Sequence, residues 1–151
     1  MKTYQEWQAL RSDIRLHSDA YINGAFTAAQ SGETFDCINP TDESLLAKVA
    51  SCDEADVNLA TEAAKAAFKS GVWSEMAPGK RKRILQKWAD LLETHQDELA
   101  LIDTLDMGKS ISEMVNIDVP DSIDCLRWSA ECIDKLYGEI APTNPDNLAL
   151  I

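Results

Sequence analysis

Apolar positions along the chain change period several times, and each change predicts a change of element. Across residues 4–16 they fall at Trp7, Leu10 and Ile14, the spacing of a short amphipathic helix. Residues 19–26 and 33–38 then mix β-branched and aromatic side chains, a strand signature. Asn23-Gly24, between Tyr21-Ile22 and Ala25-Phe26, predicts a two-residue hairpin turn. Asn39-Pro40-Thr41-Asp42 predicts a turn and Leu45–Ala50 a third strand, so a small helix leads into a β-meander.

From residue 53 the period lengthens to 3.6. Val57, Ala60, Ala64, Ala67 and Phe68 line one stripe of a helix that stops by Gly71. A helix over 79–94 is expected to turn Ile84, Leu85, Trp88, Leu91 and Leu92 inward. The next, over 96–105, buries Leu99, Ile102 and Leu105, with Gly108 as a left-handed cap. A short helix over 111–117 precedes another that Pro120 suits in its first turn, reaching Tyr137 with Ile123, Leu126, Trp128, Ile133 and Leu136 apolar. After Gly138, residues 139–141 and 148–151 read as short strands. The chain is α+β: a small β-meander, four to five helices and a C-terminal strand arm. It divides into a helical extension (1–18), a main segment (19–137) and the start of the arm (138–151).

The 151 residues carry a net charge of −12, which disfavours nucleic acid and anionic membrane surfaces as partners. No apolar run approaches the roughly 20 residues of a membrane span, and the polar, acid-bearing start is unlike a signal or transit peptide. A cytoplasmic protein is expected. The chain stops on Leu148-Ala149-Leu150-Ile151, an apolar strand without a polar tail. Such a strand invites pairing, so either another chain completes it or the polypeptide continues.

Direct signs of chemistry are sparse. The six glycines form no phosphate-cradling loop after a strand. Cys37, Cys52, Cys125 and Cys132 lack Cys-x-x-Cys pairing and read as buried thiols, with a disulfide or reactive role as the alternative. His17 and His95 read as solvated, and Lys80-Arg81-Lys82-Arg83 as a solvated helix face rather than a basic address. Asp103 and Asp106 flank a helix end, where an acid meets the negative pole of the dipole unfavourably and so has a local partner or a cation, with loop capping as the alternative. Asp118 and Asp121 sit around Pro120. They either cap a helix N-terminus or face a cleft that attracts a cationic group.

Ordered motifs supply what single residues do not. Tyr21-Ile22-Asn23-Gly24, Phe35-Asp36-Cys37-Ile38-Asn39-Pro40, Ala63–Phe68, Trp73-Ser74, Arg83-Ile84-Leu85 with Ala89-Asp90-Leu91-Leu92, and Thr104-Leu105-Asp106-Met107-Gly108-Lys109-Ser110 occur in order, followed by Arg127-Trp128 and Tyr137-Gly138. Together they resemble the aldehyde dehydrogenase superfamily, over nearly the whole chain from Tyr21. The nearest type is the γ-glutamyl-γ-aminobutyraldehyde dehydrogenases, with a helical N-terminal extension and Asp118-Val119-Pro120 before the long helix.

The resemblance implies a partial piece of an α/β aldehyde dehydrogenase fold, roughly its first third. The nucleophilic cysteine, general-base glutamate, oxyanion-hole asparagine and nicotinamide-binding residues of the family all lie later in the polypeptide. This chain alone is therefore expected to hold no catalytic or cofactor-binding residue, to bind no cofactor and to be inactive. NAD or NADP would serve the complete enzyme. The resemblance further implies that Ile38 and Asp106 help to bind a structural monovalent cation, with Cys37 where some relatives have threonine. Asp118 and Asp121 would line the substrate entrance and attract the amino group of an aminoaldehyde. The partners implied are the rest of the polypeptide or identical subunits, joined as a homo-oligomer through the C-terminal strand. A stand-alone acidic interaction or assembly module is the rival reading.

Overall fold

A computed structural model describes residues 2–141 and 146–151. Helix α1 (Tyr4–Asp13) starts from a capping box: the Thr3 hydroxyl accepts from the Glu6 N–H, and the Glu6 carboxylate accepts from the Thr3 N–H at 2.6 Å. Its one buried residue is Trp7, and an ion pair from Lys2 to Asp97 ties its start to the later helices.

Strands β1 (Ala20–Ile22) and β2 (Ala25–Thr27) pair antiparallel around Asn23 and Gly24, whose φ values of 51° and 82° are those of the expected tight turn. Strands β3 (Thr34–Ile38) and β4 (Leu45–Ala50) form a second hairpin with a bulge between Cys37 and Ile38. The meander expected from sequence is thus two separate two-stranded sheets. The Ala50 N–H donating to the Ser18 carbonyl at 2.8 Å ties β4 to the residues before β1.

Helix α2 (Glu54–Lys69) is capped by Asp53, and α3 (Pro78–Thr94) begins with proline, whose missing N–H is one the first turn never uses. Helix α4 (Gln96–Met107) ends at Gly108 in the left-handed region (φ 77°), as the sequence predicts. Three elements follow without a break: α5 (Ile111–Glu113), one π-helical turn over Met114–Asp118, and α6 (Val119–Cys132). The sequence reading placed a helix N-terminus here, and the structure replaces it with a wide turn. Pro120 has no N–H for the Asn116 carbonyl, and its ring crowds that carbonyl. The helix widens, and the Val119 N–H reaches five residues back to Met114 O. The Val115 carbonyl, which an α-helical Val119 N–H would have taken, accepts instead from Gln96 Nε2 at 2.7 Å.

The core lies between α3, α4 and the π-turn–α6 helix. Ala89, Ala100, Met114, Val119 and Ile123 are buried there, with Leu92, Leu99, Ile111, Val115 and Leu126 packed around them. Two fully buried alanines let the helices approach closely. Polar clamps flank this contact. Lys82 pairs with Glu131 at 2.7 Å and Asp134 at 3.2 Å, while Arg127 pairs with Glu93 at 2.6 Å and Asp90 at 3.1 Å.

Several apolar helix positions read from sequence lie outside this core. Ile84, Trp88, Leu91 and Trp128 are all exposed, because the apolar stripe of each helix is wider than the strip its neighbour covers. Helix α6 stops at Cys132, short of Tyr137. The Ile133 N–H bonds only three residues back, to Ala130 O, and exposed Leu136 and Tyr137 have no surface to hold another turn. All four cysteines are free. Cys52 and Cys125 are exposed and the other two half-buried, so the expectation of buried thiols fails. Strands β5 (Ile140–Ala141) and β6 (Ala149–Leu150) pair antiparallel as the arm predicts, and residues 142–145 of that arm lie outside the described residues.

Candidate functional site

Two backbone irregularities aim a charged pair at one place. At the first, Gly108 ends α4 with its N–H on Thr104 O at 3.0 Å. Its positive φ and the nearby Pro40 leave little room for a side chain, since a Cβ there would stand 3.0 Å from Pro40 Cγ. The chain reverses sharply and delivers Lys109 opposite the second irregularity, the π turn. There Asp118, last residue of the turn, meets Lys109 Nζ through Oδ2 at 2.6 Å. The close ion pair with the Asp118 carboxylate holds the Lys109 ammonium above its ordinary pKa.

Asp118 also lines a cavity of about 160 Å³ with Asp103, Ser122 and the apolar Leu92, Leu99 and Met114. Asp103 reaches it from α4. Burial first, then the charges of Asp106 and Asp118, push its carboxyl above the ordinary range. The Ser122 hydroxyl is turned back onto the Asp118 carbonyl at 2.8 Å. The pocket is therefore small, mostly apolar and lined by two carboxylates. Such a pocket suits a compact cation with a short carbon chain better than an anion.

The structure corrects one of the two readings of Asp118. It lies inside a continuous helix with φ −67° and ψ −46°, and its side chain makes no cap hydrogen bond. Asp121 is exposed three residues further on, in the first turn of α6. The structure therefore puts Asp118 on the cavity, with Asp121 on the helix surface beside it. Asp103, which the sequence offered only as an acid near a helix end, joins Asp118. Lys109 was missed altogether. Its signal was the glycine cap before it together with a proline eleven residues later.

A second acidic spot lies at the last turn of α4. Asp106 Oδ1 accepts a hydrogen bond from Cys37 Sγ at 3.0 Å, across 69 residues of sequence. That bond above all, with burial and the Asp106 charge behind it, pushes the thiol up. Ile38 follows directly, at the bulge of β3, so the strand carrying Ile38 meets Asp106. Among the described residues no group of three or more histidine, cysteine or acidic side chains converges as a metal site would.

Other expectations resolve locally. His17 is stacked on Phe26, ring centres 4.1 Å apart, and His95 Nδ1 lies 3.0 Å from Glu98 Oε2, so neither is merely solvated. In the basic run, Lys82 is drawn into the α3–α6 clamp. Among the described residues no helix is long and apolar enough to cross a membrane. Their sheets are antiparallel hairpins, without the parallel strand–turn–helix unit that cradles a dinucleotide.

Residues 26–151 match the model of the aldehyde dehydrogenase family. The chain belongs to the aldehyde dehydrogenase family. It is 43% identical over 145 residues to the NADP/NAD-dependent aldehyde dehydrogenase PuuC of Escherichia coli, covering 96% of this chain and 29% of that protein. Its fold superposes with a TM-score of 0.96 on a Pseudomonas syringae indole-3-acetaldehyde dehydrogenase in complex with NAD+ and IAA. That pair is 51% identical over 99% of this chain and 30% of the other. A γ-glutamyl-γ-aminobutyraldehyde dehydrogenase from Burkholderia cenocepacia matches with a TM-score of 0.92 and 46% identity, over 95% of this chain and 29% of that one. The chain thus spans less than a third of the length of these aldehyde dehydrogenases, and corresponds to an N-terminal portion of them.

Proposed function

We propose that this segment forms the amino-group-recognising side of an NAD- or NADP-dependent aldehyde dehydrogenase that oxidises an aminoaldehyde, of the γ-glutamyl-γ-aminobutyraldehyde kind, to its acid in the cytoplasm. The observation that carries the reading is the Asp118 carboxylate on a small, mostly apolar cavity shared with Asp103. A fixed carboxylate at an entrance raises the local concentration of a cationic substrate, and Asp121 extends the negative surface along α6. The B. cenocepacia neighbour, a γ-glutamyl-γ-aminobutyraldehyde dehydrogenase, supports this substrate class.

Oxidation of an aldehyde needs a thiolate to attack the carbonyl, donors to hold the oxyanion and a nicotinamide to take the hydride. The described residues offer no fit for a dinucleotide, so this segment's part is binding and orientation. Ile38 and Asp106 are the residues to hold a structural monovalent cation, supported by the close approach of β3 to the end of α4. Exposed Trp88, Leu91 and Trp128 offer the surface on which the rest of the polypeptide packs. The β5–β6 arm offers an edge for an identical subunit.

A second reading has its own support: the P. syringae neighbour acts on indole-3-acetaldehyde, which carries no ammonium group. One experiment separates the two. This chain is exchanged for the matching segment of the E. coli relative, and the D118N/D121N double variant is compared with the parent chimera. The aminoaldehyde reading expects KM to rise about tenfold or more for 4-aminobutanal and to stay within about twofold for indole-3-acetaldehyde, the scale of losing close charge attraction. Equal changes for both substrates would overturn it.

A further inference from the structure

Asp118 already has a cation. Lys109 Nζ sits 2.6 Å from its Oδ2, in a half-exposed pair. The pair is a consequence of the two irregularities described above, the left-handed Gly108 and the Pro120-widened turn. Neither Lys109 nor its ammonium lines the cavity, whose wall includes Asp103 and Asp118. An ammonium arriving through the cavity and the resident ammonium of Lys109 therefore approach one carboxylate from different sides.

We propose that Lys109 is a specificity-determining residue: an internal competitor that must share or surrender Asp118 before a substrate's primary ammonium can use it. This rests on the reading of Asp118 as an amino-group anchor. The competitor weakens binding of every alkylammonium by the same factor, which leaves the least affinity to short ones, since they gain little from the apolar wall. Substrates without a charge bind past the intact pair and are untouched by it. The same segment can thereby serve amino-bearing or neutral aldehydes according to how firmly Lys109 holds its partner. A half-exposed ion pair is weak enough to be displaced, which makes it suitable as a competitor rather than a permanent lock.

The test uses the 151-residue chain with aspartate carboxyl carbons labelled, titrated by NMR with n-butylammonium chloride and, separately, n-butanol at constant ionic strength. The parent chain is compared with K109M, K109R and D118N. The inference expects K109M to bind butylammonium about fivefold more tightly, the scale of a partly exposed ion pair, with butanol unchanged and K109R like the parent. K109Q carries the same expectation as K109M and replaces it should the methionine variant fold poorly. If D118N loses the butylammonium response while K109M leaves affinity unchanged or lowers it, the competitor role is overturned and the anchor stands. If D118N leaves the butylammonium response intact, the anchor itself fails, and the competitor role with it.

Discussion

Helices α2 and α3 are nearly the same length, 16 and 17 residues, and both carry an apolar stripe at helical spacing, yet they end in opposite situations. Helix α3 buries Ala89 completely against α4 and α6. In α2 the only buried residue is a carboxylate, Asp56, while Val57 and Phe68 of its stripe face outward. Periodicity marks the face a helix is able to bury, and a neighbour decides whether it does. In this chain the neighbours of α3 are present, whereas α2 meets the short strand β1 and the loop after β2. The stable unit is therefore the α3–α4–α6 bundle with the π turn, and α2 is held by its polar end.

The largest test of that contrast compares one apolar truncation on each side. Ile123→Ala, in the bundle core, is expected to cost about 2–5 kcal/mol, because it removes buried methyl groups and leaves a cavity. Val57→Ala, on the uncovered stripe of α2, is expected to stay within about 0.5 kcal/mol. Urea unfolding of both variants checks it. Similar losses at the two positions would mean that α2 is packed as firmly as α3, and the distinction would collapse.

A smaller effect sharpens the account of α2. Asp56 is 2% exposed and accepts from the Gln30 N–H at 3.0 Å and the Asp53 N–H at 3.1 Å. The first bond ties the helix start to the loop after β2. Asp56→Ala orphans two N–H groups and is expected to cost about 1–3 kcal/mol. Asp56→Leu should restore none of it, because the position needs an acceptor and not apolar volume. A stabilised leucine variant in the same unfolding assay would show that burial, rather than hydrogen bonding, holds α2.

The same distinction explains what could be read from sequence. Signals that act within a few residues were legible: the Asn23-Gly24 turn, the Gly108 cap, the strands and the limits of α2 and α4. The order of motifs also identified the family. What failed depended on neighbours. The outward turn of Trp88 and Leu91 follows from how narrow a strip α4 and α6 cover. The early end of α6 follows from the lack of a surface for Leu136. At the candidate site, Asp118 was legible as an acid near Pro120, but the wide turn that moves it out of a cap was not. That turn needs Gln96, 19 residues earlier, to satisfy the Val115 carbonyl. Lys109 was missed for a related reason, since its partner is fixed by two irregularities, marked in the sequence only by Gly108 and Pro120, and not by spacing.

The smallest expected effect sets two kinds of acid in the bundle against each other through pH. Asp103 is harder to ionise in the folded chain than in the unfolded one, through burial and the neighbouring Asp106 and Asp118. Its raised folded pKa means that its ionisation lowers stability, beginning as pH climbs past the ordinary 3.8 and complete above the raised value. Glu131 has the opposite sign. Hydrogen bonds from Lys135 and then Lys82 lower its pKa, so its contribution is present above the ordinary 4.5 and lost as pH falls through the lowered value. Asp103→Asn is therefore expected to gain stability relative to the parent between acidic and neutral pH, while Glu131→Gln loses it over the same rise. Unfolding free energies at about pH 3 and pH 7 give both differences. If the two variants moved in the same direction, the acids on the cavity wall and those in the α3–α6 clamp would share one electrostatic environment, and Asp103 would lose its place beside Asp118.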